Sequence, residues 1–283
     1  MIKIVSDSTC DLPRTLLERY HIDILPLHVL LGDVEYLDGK NITPDAIYTW
    51  SDQNKTTPKT SAPSVSEAVE LFRPYIEAGD ELICFSISDT MSSSGNSMRL
   101  AAQELEAEDR IHVIDSENLS TGVAHLAIFA AELAQAGKSA EEIIQRVEAM
   151  RPLVRSSFVV DTLVYLHRGG RCGGLTALAG SMLRLHPKII VENGKMVVGK
   201  KYRGKIDKVI LDYVHDMEAE LKQAKTDRIF ITHSNCNAET VQAVSDYLNN
   251  TNRFKEVIVT SAGSVISSHC GPGTLGVLFV AEM

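Results

Sequence analysis

With 283 residues and 44% hydrophobic content, the chain has ample material for a core and is longer than one typical domain. A net charge of −9 with no dense Lys/Arg stripe argues against nucleic-acid binding. Five scattered cysteines without a CxxC pair read as reduced thiols, and nine histidines without metal-ligand spacing argue against a metal site. The opening MIKIVSDS enters a strand at once, with no signal peptide, and no apolar run approaches the roughly 20 residues of a membrane span, so a cytoplasmic protein is expected.

In chain order, Ile2 to Val5 reads as a strand that ends in Asp7-Ser8, and Asp11 can cap a helix with Pro13 in its first turn. His21 to Leu31 reads as a second strand, Asp38-Gly39 as a turn, and Thr43-Pro44 as the start of a helix towards Trp50. The loop Lys55 to Pro63 is extended by its prolines, and Ser64 with Glu67 has capping-box spacing. Leu82 to Ile87 is an apolar run of the kind that forms a buried parallel strand. It stops at a hydroxyl-rich loop holding Ser88, Ser92, Ser93 and Ser94, followed by a helical pattern at Met98, Leu100 and Ala101. Ligands of open α/β sheets bind beyond the carboxyl ends of the strands, so these serines form a candidate anion site, with local capping as the alternative. Ile111 to Ile114 is another strand ending in Asp-Ser, at Asp115-Ser116, so both pairs can reach one sheet edge or serve only local turns. Thr121 to Ala136 is an apolar helix stopped by Gly137, and Ser139 with Glu142 opens the next.

From Pro152 the texture changes. Ser157 to Val160 and Val164-Tyr165 read as short β-prone pieces, and four glycines stand at Gly169, Gly170, Gly173 and Gly174. Asn193-Gly194 turns a hairpin between Lys188 and Val198, which suits a doubly wound sheet poorly and puts a domain change near residue 155. Lys205 to Lys225 reads as one long helix, Arg228 to Thr232 and Glu256 to Thr260 as strands, Asn237 to Asn249 as a helix, and His269 as part of a glycine-proline turn before a last strand. No Walker A motif, dinucleotide fingerprint or Gly-x-Ser-x-Gly elbow is present. His269 could be a base for a serine nucleophile if the fold brought the two together, and Arg171 could neutralise an anion or contact a partner.

Several segments in order resemble one family, the DegV fatty-acid-binding proteins, which include carrier subunits of fatty acid kinase. They are VSDSTCDLP from Val5, LPLHV from Leu25, YLDGKNIT from Tyr36, KTSAPS from Lys59, VIDSENLSTG from Val113, HRGGR from His167 and HCGPGTLGV from His269. The resemblance implies a two-domain α/β fold, with a parallel Rossmann-like domain over residues 1–155 and a smaller α/β domain with a hairpin over 156–283. The resemblance also implies a fatty-acid tunnel between them. It implies that Thr60, Ser92 and His269 hold the carboxylate, with Ser61, Ser93, Ser94, Arg171 and Arg203 as further head-group or partner contacts. Here Ser93 and Gly95 depart from the family's Ser-Gly-Thr-aromatic turn, and Cys172 replaces an aliphatic residue after Gly-Gly-Arg.

The function implied is a non-catalytic carrier without cofactor, which shields a long-chain fatty acid and presents its carboxylate to a separate fatty acid kinase, with at most transient membrane contact. A serine-dependent acyl hydrolase or transferase using Ser92 and His269, and a lipid-responsive interaction protein, are the alternatives.

Overall fold

The computed structural model describes residues 1–171 and 185–282; Cys172, Gly173 and Gly174 lie outside the described residues. The first sheet, β2-β1-β6-β7 in order, is all parallel: β1 (Ile2–Asp7), β2 (Ile22–Leu25), β6 (Glu81–Ser86) and β7 (Ile111–Asp115). Its central strand β6 is covered on both faces, which is why it reads as a continuous apolar run. Leu82 and Cys84 pack with Phe72 and Met98, whereas Ile83 and Phe85 point the other way into a cluster with Val123 and Ile128, the strand alternation expected of a pleated backbone.

A small antiparallel sheet, β4-β3-β5, is built from β3 (His28–Leu31), β4 (Val34–Leu37) and β5 (Lys59–Ser61). The single strand expected over 21–31 is therefore two. Pro26 has no N–H to give a ladder, and the next N–H, of Leu27, goes to Ser8 Oγ at 3.1 Å, so the chain leaves the parallel sheet there. The pairing of Val29 with Thr60 across β3 and β5 is what places Thr60.

The larger sheet has six strands, ordered β10-β9-β8-β13-β11-β12: β8 (Val154–Val159), β9 (Leu185–Glu192), β10 (Lys195–Arg203), β11 (Arg228–Ser234), β12 (Glu256–Ser261) and β13 (Thr274–Val280). The β9–β10 hairpin turns at Asn193 and Gly194, both at positive φ as such a two-residue turn requires. Val164 and Tyr165 are helical, in Val164–Arg168, rather than β: Leu163 and Leu166, three apart, are buried together with Ile87 and Met91, and that packing overrides local propensity. The long helix expected from 205 breaks at Met217 into Ile206–Asp216 and Glu218–Leu221, because the chain must turn in for the Lys225 N–H to reach the Val280 carbonyl at 2.7 Å. Asp11 does not cap the helix Arg14–Tyr20; it adopts a left-handed φ of 52° and points elsewhere.

The helix Thr121–Gln135 is apolar all round, and the fold explains why: it is buried between the two large sheets. Ile4, Ile83 and Phe85 of the parallel sheet share one cluster with Val154, Phe230 and Leu278 of the six-stranded one. Within it His125 is buried, its Nε2 3.1 Å from the Leu278 carbonyl and its ring edge-on to Phe230. Burial pushes its pKa down to about 4. A base that the fold keeps neutral contributes stability in full above its ordinary 6.5, and loses it as pH falls towards 4. Replacing His125 with Gln is expected to reduce the loss of unfolding free energy between pH 7.5 and 4.5 by about 2–3 kcal/mol, read from urea melts at the two pH values.

Candidate functional site

The serine loop beyond β6 is held from both neighbouring strands. Asp7, at the end of β1, accepts the Ile87 N–H at 2.9 Å; Asp115, at the end of β7, accepts the Asp89 N–H at 3.2 Å and, locally, that of Glu117 at 2.8 Å. The two Asp-Ser strand ends thus converge on one loop. The loop's serines have separate tasks. Ser88 Oγ donates to the Gly194 carbonyl of the hairpin turn at 2.8 Å, as does the Thr90 hydroxyl. Ser92 lines an internal cavity, and its Oγ also accepts the Ser94 N–H at 3.2 Å. Ser93 is exposed, and Ser94 is buried in the first helical turn outside the cavity lining. The pattern of four serines facing one anion is therefore reduced to Ser92.

The cavity has an empty volume of about 840 Å³. Its wall is mainly apolar. Ile87, Met91, Phe158 and Leu166 form one part of the wall, with Met196 from the hairpin, and Val265 and Leu278 form another.

Hydroxyls also line this cavity, but most are engaged by the protein. Thr232 bonds Thr121 at 2.8 Å and Thr260 at 2.9 Å; Ser234 bonds Ser267 at 2.8 Å and Tyr48; Thr274 donates to the Cys270 carbonyl at 3.0 Å; Ser120 donates to Asp11. Sequence reasoning missed these four: they sit at strand ends or helix starts, where hydroxyls are ordinary, and only their convergence marks them.

Thr60 and His269 are brought together from opposite ends of the chain, with Thr60 Oγ1 2.7 Å from His269 Nε2. His269 stands in the last turn of the helix Ser264–Cys270, not in the turn after it. Burial, and then the nearby Arg171 charge, push its pKa down to about 4, so the imidazole is neutral at pH 7. Its Nδ1 is buried without a partner among the described residues, against Gly169, where a Cβ would come within 2.2 Å of it. An unpaired N–H there would cost more than a bare lone pair, so the proton is assigned to Nε2, which donates to Thr60. That leaves the Thr60 hydroxyl hydrogen free to turn into the cavity. Ser61 and Arg171, both exposed, complete the lining and mark a mouth; Arg171 Nε donates to the Met91 carbonyl at 3.3 Å, beside Ser92. Arg203 is exposed on β10, opposite Leu185 and outside the cavity lining. Among the described residues no cluster of three or more potential ligands could hold a metal ion, and no helix is long and apolar enough to cross a membrane.

The fold and cavity define an α/β protein with an apolar slot whose lining includes Thr60, Ser92 and His269. The model of the family described as uncharacterised proteins of the DegV family matches residues 1–282, and the chain belongs to that family. A DegV domain-containing protein of Deinococcus radiodurans is 32% identical over 276 residues, 98% of this chain and 97% of the relative. A DegV family protein from Thermus thermophilus, solved for its fatty acid binding, superposes with a TM-score of 0.91 at 32% identity, covering 99% of both chains. A stearic-acid-binding protein from Eubacterium ventriosum superposes with a TM-score of 0.85 at 29% identity, over 100% of this chain and 99% of the other.

Proposed function

We propose that this protein binds a long-chain fatty acid in the slot and presents its carboxylate to a separate ATP-dependent kinase, which forms the acyl-phosphate. The observation that carries the reading is the pairing of an apolar-lined cavity with an uncharged Thr60–His269 pair and Ser92 on its wall. In this reading the ligand lies between a unit spanning residues 1–155, which supplies Thr60 and Ser92, and a unit spanning 156–283, which supplies His269, Phe158 and Met196.

The tail provides the affinity. About 14 methylenes at about 0.8 kcal/mol each give on the order of 11 kcal/mol before ordering costs. The carboxylate is held by the Thr60 and Ser92 hydroxyls, with neutral His269 fixing Thr60 from behind. Neutral donors suit a head group that has to be handed on, because a bidentate arginine clamp would resist its release. Arg171, at the mouth, and the exposed Arg168 near it in sequence are assigned to the partner's side of the exchange, with Ser61 beside them. Among the described residues the bonded partner of His269 Nε2 is Thr60 rather than Ser92, which speaks against the hydrolase alternative.

The test is an assay with fatty acid, ATP and hydroxylamine as trap. Protein alone is expected to give no acyl-hydroxamate, and protein with a fatty acid kinase catalytic subunit is expected to give it. Hydroxamate from the protein alone, or none with any such subunit although lipid is bound, would overturn the carrier role.

A further inference from the structure

We propose that Asp11 and Asp38 are positioning residues of the head-group site: they hold the start of the helix that carries His269 and so set the imidazole against Thr60. The inference rests on the reading of the slot as the fatty-acid site.

The helix Ser264–Cys270 has seven residues, too few to be stable by itself, and the residue before it, Gly263, has no side chain to cap it. Its first N–H groups are taken from a distance. Asp11 Oδ1 accepts from the Gly263 N–H at 2.8 Å, and Asp38 Oδ1 accepts from the Ser264 N–H at 2.7 Å. The second oxygen of each carboxylate is fixed as well: Asp11 Oδ2 accepts from Ser120 Oγ, and Asp38 Oδ2 from Ser8 Oγ at 2.8 Å. Both aspartates are buried, so neither has water as a substitute partner. Gly263 is what lets them close on the backbone, since a Cβ there would stand 3.1 Å from Asp11 Oδ1 and 3.2 Å from Asp38 Oδ1.

These bonds reach across more than 220 residues of sequence. From Ser264 to His269 is about 7.5 Å along a helix axis at about 1.5 Å per residue. So short a helix moves as one body, and a shift of about 1 Å at its start reaches Nε2 and lengthens the 2.7 Å contact with Thr60 beyond hydrogen-bonding range.

The test reads two quantities on Asp11→Ala, Asp38→Ala, Asp11→Asn and Asp38→Asn: the affinity for palmitate, and the titration of the His269 imidazole by NMR on lipid-free protein. Asparagine keeps an acceptor for the backbone N–H, and the serine hydroxyl can turn to accept from its amide. The alanine variants are expected to weaken palmitate about tenfold and to displace the His269 midpoint from its wild-type value, and the asparagine variants to keep both near the wild-type values. Folded alanine variants with both readings unchanged, or folded asparagine variants that lose both, would overturn the proposal. If alanine at either site prevents folding, glutamate takes its place: one methylene longer, it is expected to shift both readings, and unchanged readings would overturn the proposal. The imidazole titration needs no lipid, so a wild-type protein that binds no palmitate would sink the fatty-acid reading while the positioning role is still decided by NMR.

Discussion

Replacing Gly169 with alanine is expected to cut the fatty acid retained by the purified protein at least about tenfold, with a stability loss of only about 1–3 kcal/mol. Gly169 is at φ −70°, which alanine adopts freely, so the effect is not one of backbone conformation. It is steric: the added Cβ would stand 2.2 Å from His269 Nδ1 and 2.9 Å from its Cε1, and the ring cannot yield while it stays 2.7 Å from Thr60. The imidazole must leave Thr60, whose hydroxyl is then no longer held in place for the ligand. Lipid content per mole and a thermal melt on the same sample separate the two effects. A double-mutant cycle adds a stricter check, because in a His269→Ala background the same Gly169 change should cost little in either reading. Wild-type lipid content in Gly169→Ala would show that the contact does not govern the head group.

The pair Thr60→Val and Ser92→Ala is expected to weaken fatty acids of every chain length by a similar factor, about 10²–10⁴-fold. Each hydroxyl donated to a carboxylate is worth about 1.5–3 kcal/mol, and the pair about twice that. Valine keeps the shape of Thr60, so the tail wall is untouched and the rank order of acids should survive. Competition binding over a series of chain lengths measures this. A loss confined to one length would place these side chains along the tail rather than at the head.

Much of this was legible in the residues. The apolar run Leu82 to Ile87, the capping boxes at Ser64 and Ser139, and the Asn193-Gly194 turn are local signals, and each forms the expected element. Thr60, Ser92 and His269 were named from the resemblance, and the fold brings all three to one cavity. The misreadings come where distant partners decide. Pro26 splits a strand because Ser8 takes the next N–H, Asp11 ignores its own helix for Gly263, and Ser88 spends its hydroxyl on the hairpin turn. Periodicity carries no information about such bonds. The engaged hydroxyls of Ser120, Thr232, Ser234 and Thr274 were invisible for the same reason: nothing within a few residues of any of them says that it faces a cavity.

The most direct measurement is to denature the purified protein, extract it with organic solvent and identify the released small molecules by mass spectrometry. The account predicts a stoichiometric long-chain fatty acid from the wild-type protein and its depletion from Gly169→Ala and from Thr60→Val/Ser92→Ala. No fatty acid from the wild-type protein, even after incubation with a mixture of chain lengths, would contradict it.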